Sequence, residues 1–102
     1  MAKQTYIIRK TIEFEAWFTN QTKKEQIQID KRLAGIELYG HLGDHRVIDE
    51  SKGLFELRWL NGRRVYYVQI EINEMIILYA GNKNGQSKDI NKAKNILAKK
   101  SN

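Results

Sequence analysis

Apolar and polar positions along this chain follow two rhythms. Phe14, Trp17 and Phe18 are spaced three and four residues apart, as are Ile29, Leu33 and Ile36, which puts each set on one helix face. Thr11 is a suitable N-cap for the first helix, with Glu13 and Glu15 near the positive end of its dipole. "TNQTKKEQ" interrupts the pattern, and Thr22 followed by Glu25 has the spacing of a capping box. A second helix then runs to about Leu38, and the two helices form a hairpin. Ahead of them, "TYIIRK" (5–10) reads as a first strand. After residue 53 come three strand-like runs, 54–60, 63–70 and 75–80. "MIILYA" is apolar on both alternating sets, which predicts a central strand covered on both faces. "GNKNGQS" (81–87) is turn chemistry, and "KDINKAKNILAKK" is a closing helix with Ile90, Ala93 and Leu97 inward. Residues 39–53, with three glycines, read as a long loop. The predicted class is α+β, in the order β-α-α-β-β-β-α, with a mostly antiparallel sheet.

The hairpin "FELRWLNGRRVYYVQI" decides which side chains share a face. A two-residue Asn61-Gly62 turn sets Trp59 opposite Arg64 and sends Arg58 and Arg64 to opposite faces. A three-residue Leu60-Asn61-Gly62 loop with left-handed Gly62 sets Arg58 opposite Arg64. The second register sorts the residues better. It collects Phe55, Leu57, Trp59, Val65 and Tyr67 on one face, and Glu56, Arg58, Arg64, Tyr66 and Val68 on the other. The first places Arg64 among apolar side chains, where an unpaired charge is costly. The bulged register is therefore the expectation. It pairs two cations across a hairpin, which is unfavourable without an anion nearby. Glu56, Glu71 or Asp89 can neutralise them, or a phosphate can be gripped between them.

Composition adds to this. The 102 residues, 41% hydrophobic and 29% charged, suit one globular domain spanning 1–102. There is no cysteine, so disulfides and thiolate metal sites are excluded. No apolar run approaches the roughly 18 residues of a membrane span, and no signal-peptide core is present, so the expectation is a cytoplasmic protein with no membrane partner. Net charge is +6. Residues 1–53 hold 9 Lys/Arg against 8 Asp/Glu, and residues 54–102 hold 9 against 4, so the basic excess lies with the arginine hairpin. Such a surplus favours a polyanionic partner, and it also suits plain solubility.

In order, "FEAWF…RLAGIELYGHLGD", "GLFELRW", "GRRVYYV" and "ILYAGNKNGQSKDINKAKNIL" resemble the RelE/ParE superfamily of toxin–antitoxin toxins, and most of all its HigB-like branch of addiction-module killer proteins. The resemblance covers nearly the whole chain. It implies a RelE-like fold with the helices packed on one sheet face and a concave basic surface on the other. It further implies an mRNA interferase: a metal-independent endoribonuclease, without cofactors, that inhibits translation by cutting mRNA on the ribosome. A helix-turn-helix antitoxin is the implied partner. By motif position, Arg58, Arg64 and Lys83 carry over as catalytic residues, and Gln86, Lys88 and Asp89 fall within the motif. Glu56 stands where well-known RNA-cleaving members have a lysine, and no Tyr or His lies near the chain end. ParE-like relatives share the fold and inhibit DNA gyrase, so a non-enzymatic toxin is the alternative, and a non-toxic basic binding domain is a third reading.

The chemistry assigns roles. Metal-free RNA cleavage needs a base for the 2′-OH, cations for the phosphorane and an acid for the leaving oxygen. Arg58 and Arg64 suit charge stabilisation. Lys83 suits an adjacent phosphate, and Gln86 and Lys88 suit RNA binding at a helix N-terminus. Asp89, Tyr66, His41 and His45 are the base candidates, with Asp89 also suited to orienting an arginine. Gly40 and Gly43 argue against a helical His41/His45 metal site, and no metal is expected. Trp59 and Tyr67 are expected in the core, and Lys92, Lys94, Lys99 and Lys100 on a solvated helix face.

Overall fold

A computed structural model describes residues 5–100. Its elements are β1 (Ile7–Lys10), α1 (Ile12–Thr19), α2 (Lys23–Tyr39), β2 (His45–Asp49), β3 (Leu54–Arg58), β4 (Arg63–Glu71), β5 (Glu74–Asn82) and α3 (Gln86–Lys100). The five strands form one sheet in the order β1-β5-β4-β3-β2, with β1 parallel to β5 and every other pair antiparallel. None of these helices is long and apolar enough to cross a membrane.

The helix starts follow their caps. Thr11 Oγ1 accepts from the Phe14 N–H at 3.0 Å and donates to the Leu78 carbonyl at 2.7 Å, tying α1 to β5. Thr22 and Glu25 form the reciprocal capping box at the head of α2. Gly40 ends α2 with φ 72°, a left-handed conformation that glycine adopts without penalty.

The sheet is covered on both sides. Phe14 of α1 and Ile29, Leu33 and Ile36 of α2 bury against Leu57, Val65, Tyr67, Met75 and Ile77. Ala93 and Ile96 of α3 bury against Leu54, Tyr66, Val68 and Leu78 on the opposite face. The α+β class and the mostly antiparallel sheet are as expected, but the helices do not all lie on one face. The reason is the double-sided apolar character of β4 and β5, which leaves a second face that water cannot be allowed to wet.

Residues 39–53 hold a further difference. This segment contains the edge strand β2, antiparallel to β3, with Arg46 opposite Glu56. Its His45, Arg46 and Val47 are exposed, so it lacks the alternation that marks a strand with one buried face.

In β5 the register slips by one residue. Tyr66 faces Tyr79 and Tyr67 faces Ile77, leaving Leu78 as a bulge. Past the bulge, the positions that face α3 shift from the even residues of β5 to the odd ones. Gly81 is thereby turned toward α3, opposite Arg64.

Candidate functional site

The hairpin adopts the bulged register. Arg58 lies opposite Arg64, Leu57 opposite Val65, and Glu56 opposite Tyr66. Gly62 has φ 98°, and the Trp59 N–H donates to the Arg63 carbonyl at 3.0 Å, closing a three-residue loop. The two arginines therefore leave the sheet on one face, at the end where α3 begins.

They meet over a carboxylate. Glu56 is 0% exposed. Its Oε2 lies 3.6 Å from Arg58 Nε, and its Oε1 lies 3.9 Å from Arg64 Nε. Gln86, the first residue of α3, donates from Nε2 to Oε1 at 2.9 Å. Of the three neutralising carboxylates that the sequence offers, Glu56 is the one in place. Glu71 is exposed at the far end of β4, opposite Glu74.

The two arginines differ in access. Arg64 is 6% exposed, and its Nη1 donates to the Arg63 carbonyl at 3.0 Å and more loosely to that of Trp59 at 3.4 Å. The Arg58 side chain is 30% exposed. Glu56 Oε2, Arg58 Nε, Arg64 Nε and the Tyr66 hydroxyl are buried with no hydrogen-bond partner among the described residues. The contacts between these charges are close enough for Coulomb attraction and too long for hydrogen bonds.

Two further groups border the cluster. Burial, with help from Glu56 and Asp89, raises the Tyr66 phenol above its ordinary pKa. At neutral pH Tyr66 keeps its proton, so it can donate but cannot serve as a base. Asp89, in the first turn of α3, has its carboxyl raised by burial, against the pull of Lys88 and Lys92. Its carboxylate rests on Gly81: a Cβ there would lie 1.9 Å from Asp89 Oδ2. Gly81→Ala is expected to cost about 1–2 kcal/mol by overpacking. In the Asp89→Ala background, where the obstructing carboxylate is gone, most of that cost should vanish; urea melts of the four variants of this cycle measure it.

The remaining expected residues are spread over both faces of the sheet and its loops. Lys83 follows β5, its N–H donates to the Gly62 carbonyl at 2.8 Å, and its stem packs near the Gly62 turn. Lys88 is exposed on the first turn of α3. His45 pairs with Leu57, so it shares the face opposite to Arg58, and His41 is exposed in the loop after α2. Among the described residues no group of three His, Asp or Glu side chains is placed to hold a metal. Tyr67 is buried, and Trp59 packs against the core with Arg32 4.3 Å and Arg63 5.7 Å from its ring centroid.

Three arginines escape the sequence reading. Arg46 on β2 occupies the position next to Glu56 on the arginine face. Arg63 is buried on the other face, bonded to Glu25 at 3.0 Å and Gln28 at 3.3 Å; the Thr22 hydroxyl first, and Arg63 after it, hold the Glu25 pKa down. Arg32 of α2 donates to the carbonyls of Arg58, Leu42 and Asp44, fixing the end of β3 to the loop before β2. Burial lowers its pKa, but a guanidinium stays charged. Arg32→Ala takes a donor from three carbonyls, of which that of Asp44 still accepts from the Arg58 N–H, and should cost about 1–3 kcal/mol, with Arg32→Lys recovering only part, because an ammonium lacks the planar fork. Chemical denaturation of the two variants provides the check.

The architecture has solved counterparts. A chain of the RelBE2 toxin–antitoxin complex from Mycobacterium tuberculosis superposes with a TM-score of 0.59 at 15% identity, over 80% of this chain and 97% of that one. The fold is RelE-like. In sequence, an uncharacterized protein of Haemophilus influenzae is 31% identical over 93 residues, 88% of this chain and 91% of that protein, and the two belong to one family. No family model matches the chain.

Proposed function

We propose that this protein is the toxin of a type II toxin–antitoxin pair of the HigB-like branch, acting in the cytoplasm as a metal-independent, ribosome-dependent mRNA endoribonuclease. The observation that carries this reading is the pair Arg58 and Arg64, held on one face of a RelE-like sheet beside the first turn of α3. Arg58 is the cation that meets the scissile phosphate, and Arg64 supports it from beneath. Lys83 and Lys88 take the flanking phosphates, and Gln86 keeps the carboxylate of Glu56 oriented. Asp89, whose carboxyl pKa burial raises, is the general base that takes the 2′-OH proton and returns it through water to the leaving 5′-oxygen, and Tyr66, with its hydroxyl sealed from solvent, lines the floor of the site. The partner is a helix-turn-helix antitoxin, a reading supported by the neighbour's being part of a toxin–antitoxin complex.

One feature favours a non-enzymatic toxin of the same fold as a second reading: among the described residues the base candidate at the cluster, Asp89, is a carboxylate, and both histidines lie elsewhere. Expression in a growing cell separates the two. The first reading expects growth to stop with transcripts cut at mapped positions. Arrest with intact transcripts and inhibited supercoiling by purified protein would instead establish the gyrase reading.

A further inference from the structure

Glu56 lies between the Nε atoms of the two arginines. It is sealed from solvent, its two oxygens point one to each Nε, and neither contact is a hydrogen bond. Among the described residues its neutral hydrogen-bond partner is Gln86, which holds Oε1 from α3. Asp89 does not share this role, since its carboxylate is lodged on Gly81, and no ion pair joins it to either arginine among the described residues. Local charge is therefore divided: two guanidinium groups, one carboxylate between them, and a third cation, Arg46, at the adjoining register position on β2.

Such a carboxylate has two effects. It holds the Nε edges of both arginines inward, which leaves the exposed part of Arg58 to solvent. It also lowers the positive potential that an incoming anion meets. A lysine at this position would do neither.

We infer that Glu56 is an internal counter-anion of the arginine site, a positioning residue that phosphate must compete with, and that its charge sets how tightly this surface holds the RNA backbone. The inference rests on the reading of the arginine pair as a phosphate site. Binding of RNA draws Arg58 partly away from Glu56 toward the phosphate. The carboxylate then restores the arginine to its resting place when the product leaves. The site trades affinity for release.

The test uses a 2′-O-methyl RNA oligonucleotide, which binds but cannot be cut, with the full-length wild type, Glu56→Gln and Arg58→Ala. Glu56→Gln keeps the volume and a partner for Gln86 while removing the charge. It should bind about tenfold more tightly at low salt, and Arg58→Ala should lose binding by at least that factor. If Arg58→Ala binds as the wild type does, the arginine site is not the RNA site and both readings fall. If Arg58→Ala loses binding and Glu56→Gln gains none, the role of Glu56 alone falls. A wild-type measurement guards against a variant that does not fold. Titration with sulfate, followed by NMR of the arginine Nε–H and glutamate carboxyl resonances, should move Arg58, Arg64 and Glu56 with one dissociation constant. Movement of the arginines with a stationary Glu56 carboxyl would overturn the inference.

Discussion

Replacing Arg58 with alanine should reduce mRNA cleavage by about a hundred- to a thousandfold while leaving the protein folded, the loss typical when a preorganised donor to a developing oxyanion is removed. The prediction is specific to Arg58 because of how the two arginines are placed. Arg58 has 30% of its side chain exposed, and its 3.6 Å contact with Glu56 is too long for a hydrogen bond. Because Glu56 keeps Arg64 and Gln86 beside it, losing this loose contact should cost about 1–3 kcal/mol, short of unfolding the domain. Arg64→Ala cannot isolate catalysis in the same way, since it removes a cation that is 6% exposed and unties the turn carbonyls of Trp59 and Arg63. Arg58→Lys should retain some activity through its charge and lose what depends on the planar fork. Single-turnover cleavage at matched folded concentration reads the chemical step directly. Circular dichroism confirms that the comparison is between folded proteins.

Glu56→Ala should have the largest effect on stability of any single change in the cluster. It leaves Arg64 buried and charged without its anion, and it frees Gln86. Removing one member of a buried ion pair costs about 3–5 kcal/mol. A domain of this size has about 5–15 kcal/mol in total, and each kcal/mol lowers its melting temperature by roughly 4–8 °C. A drop of roughly 12–40 °C is the span these figures allow by differential scanning calorimetry. The loose geometry places the result at the lower end of that range. A melting temperature within a few degrees of the wild type would mean that Arg64 is stabilised by the turn carbonyls alone.

Much of this site can be read in the sequence, because one structural decision governs it. Choosing the three-residue loop over the Asn-Gly turn follows from where Arg64 would otherwise be buried, and that choice alone sets Arg58 opposite Arg64 and Glu56 opposite Tyr66. The caps at Thr11 and Thr22 are equally legible, because capping is a local interaction. What escapes depends on long-range pairing. The edge strand β2 has adjacent Val47 and Ile48 in place of an alternation, and it hides behind the glycines of its loop; without it Arg46 has no position. The placement of α3 on the second face was within reach, since "MIILYA" is apolar on both sets, but the resemblance pointed the other way. Arg63 shares the parity of Trp59 and Val65, so the chosen register puts a cation on the core face. Asking which anion meets it there leads to Glu25, 38 residues earlier.

Purified protein added to ribosomes translating a defined mRNA, with the transcript then mapped by primer extension, bears most directly on the claim that guanidinium groups from β3 and β4 act on an RNA phosphate. Cuts are expected within the ribosome-bound codons of the wild-type reaction, undiminished by EDTA at a concentration that leaves the ribosomes assembled, and absent with Arg58→Ala. An intact transcript in a reaction where translation nevertheless stops would contradict the account.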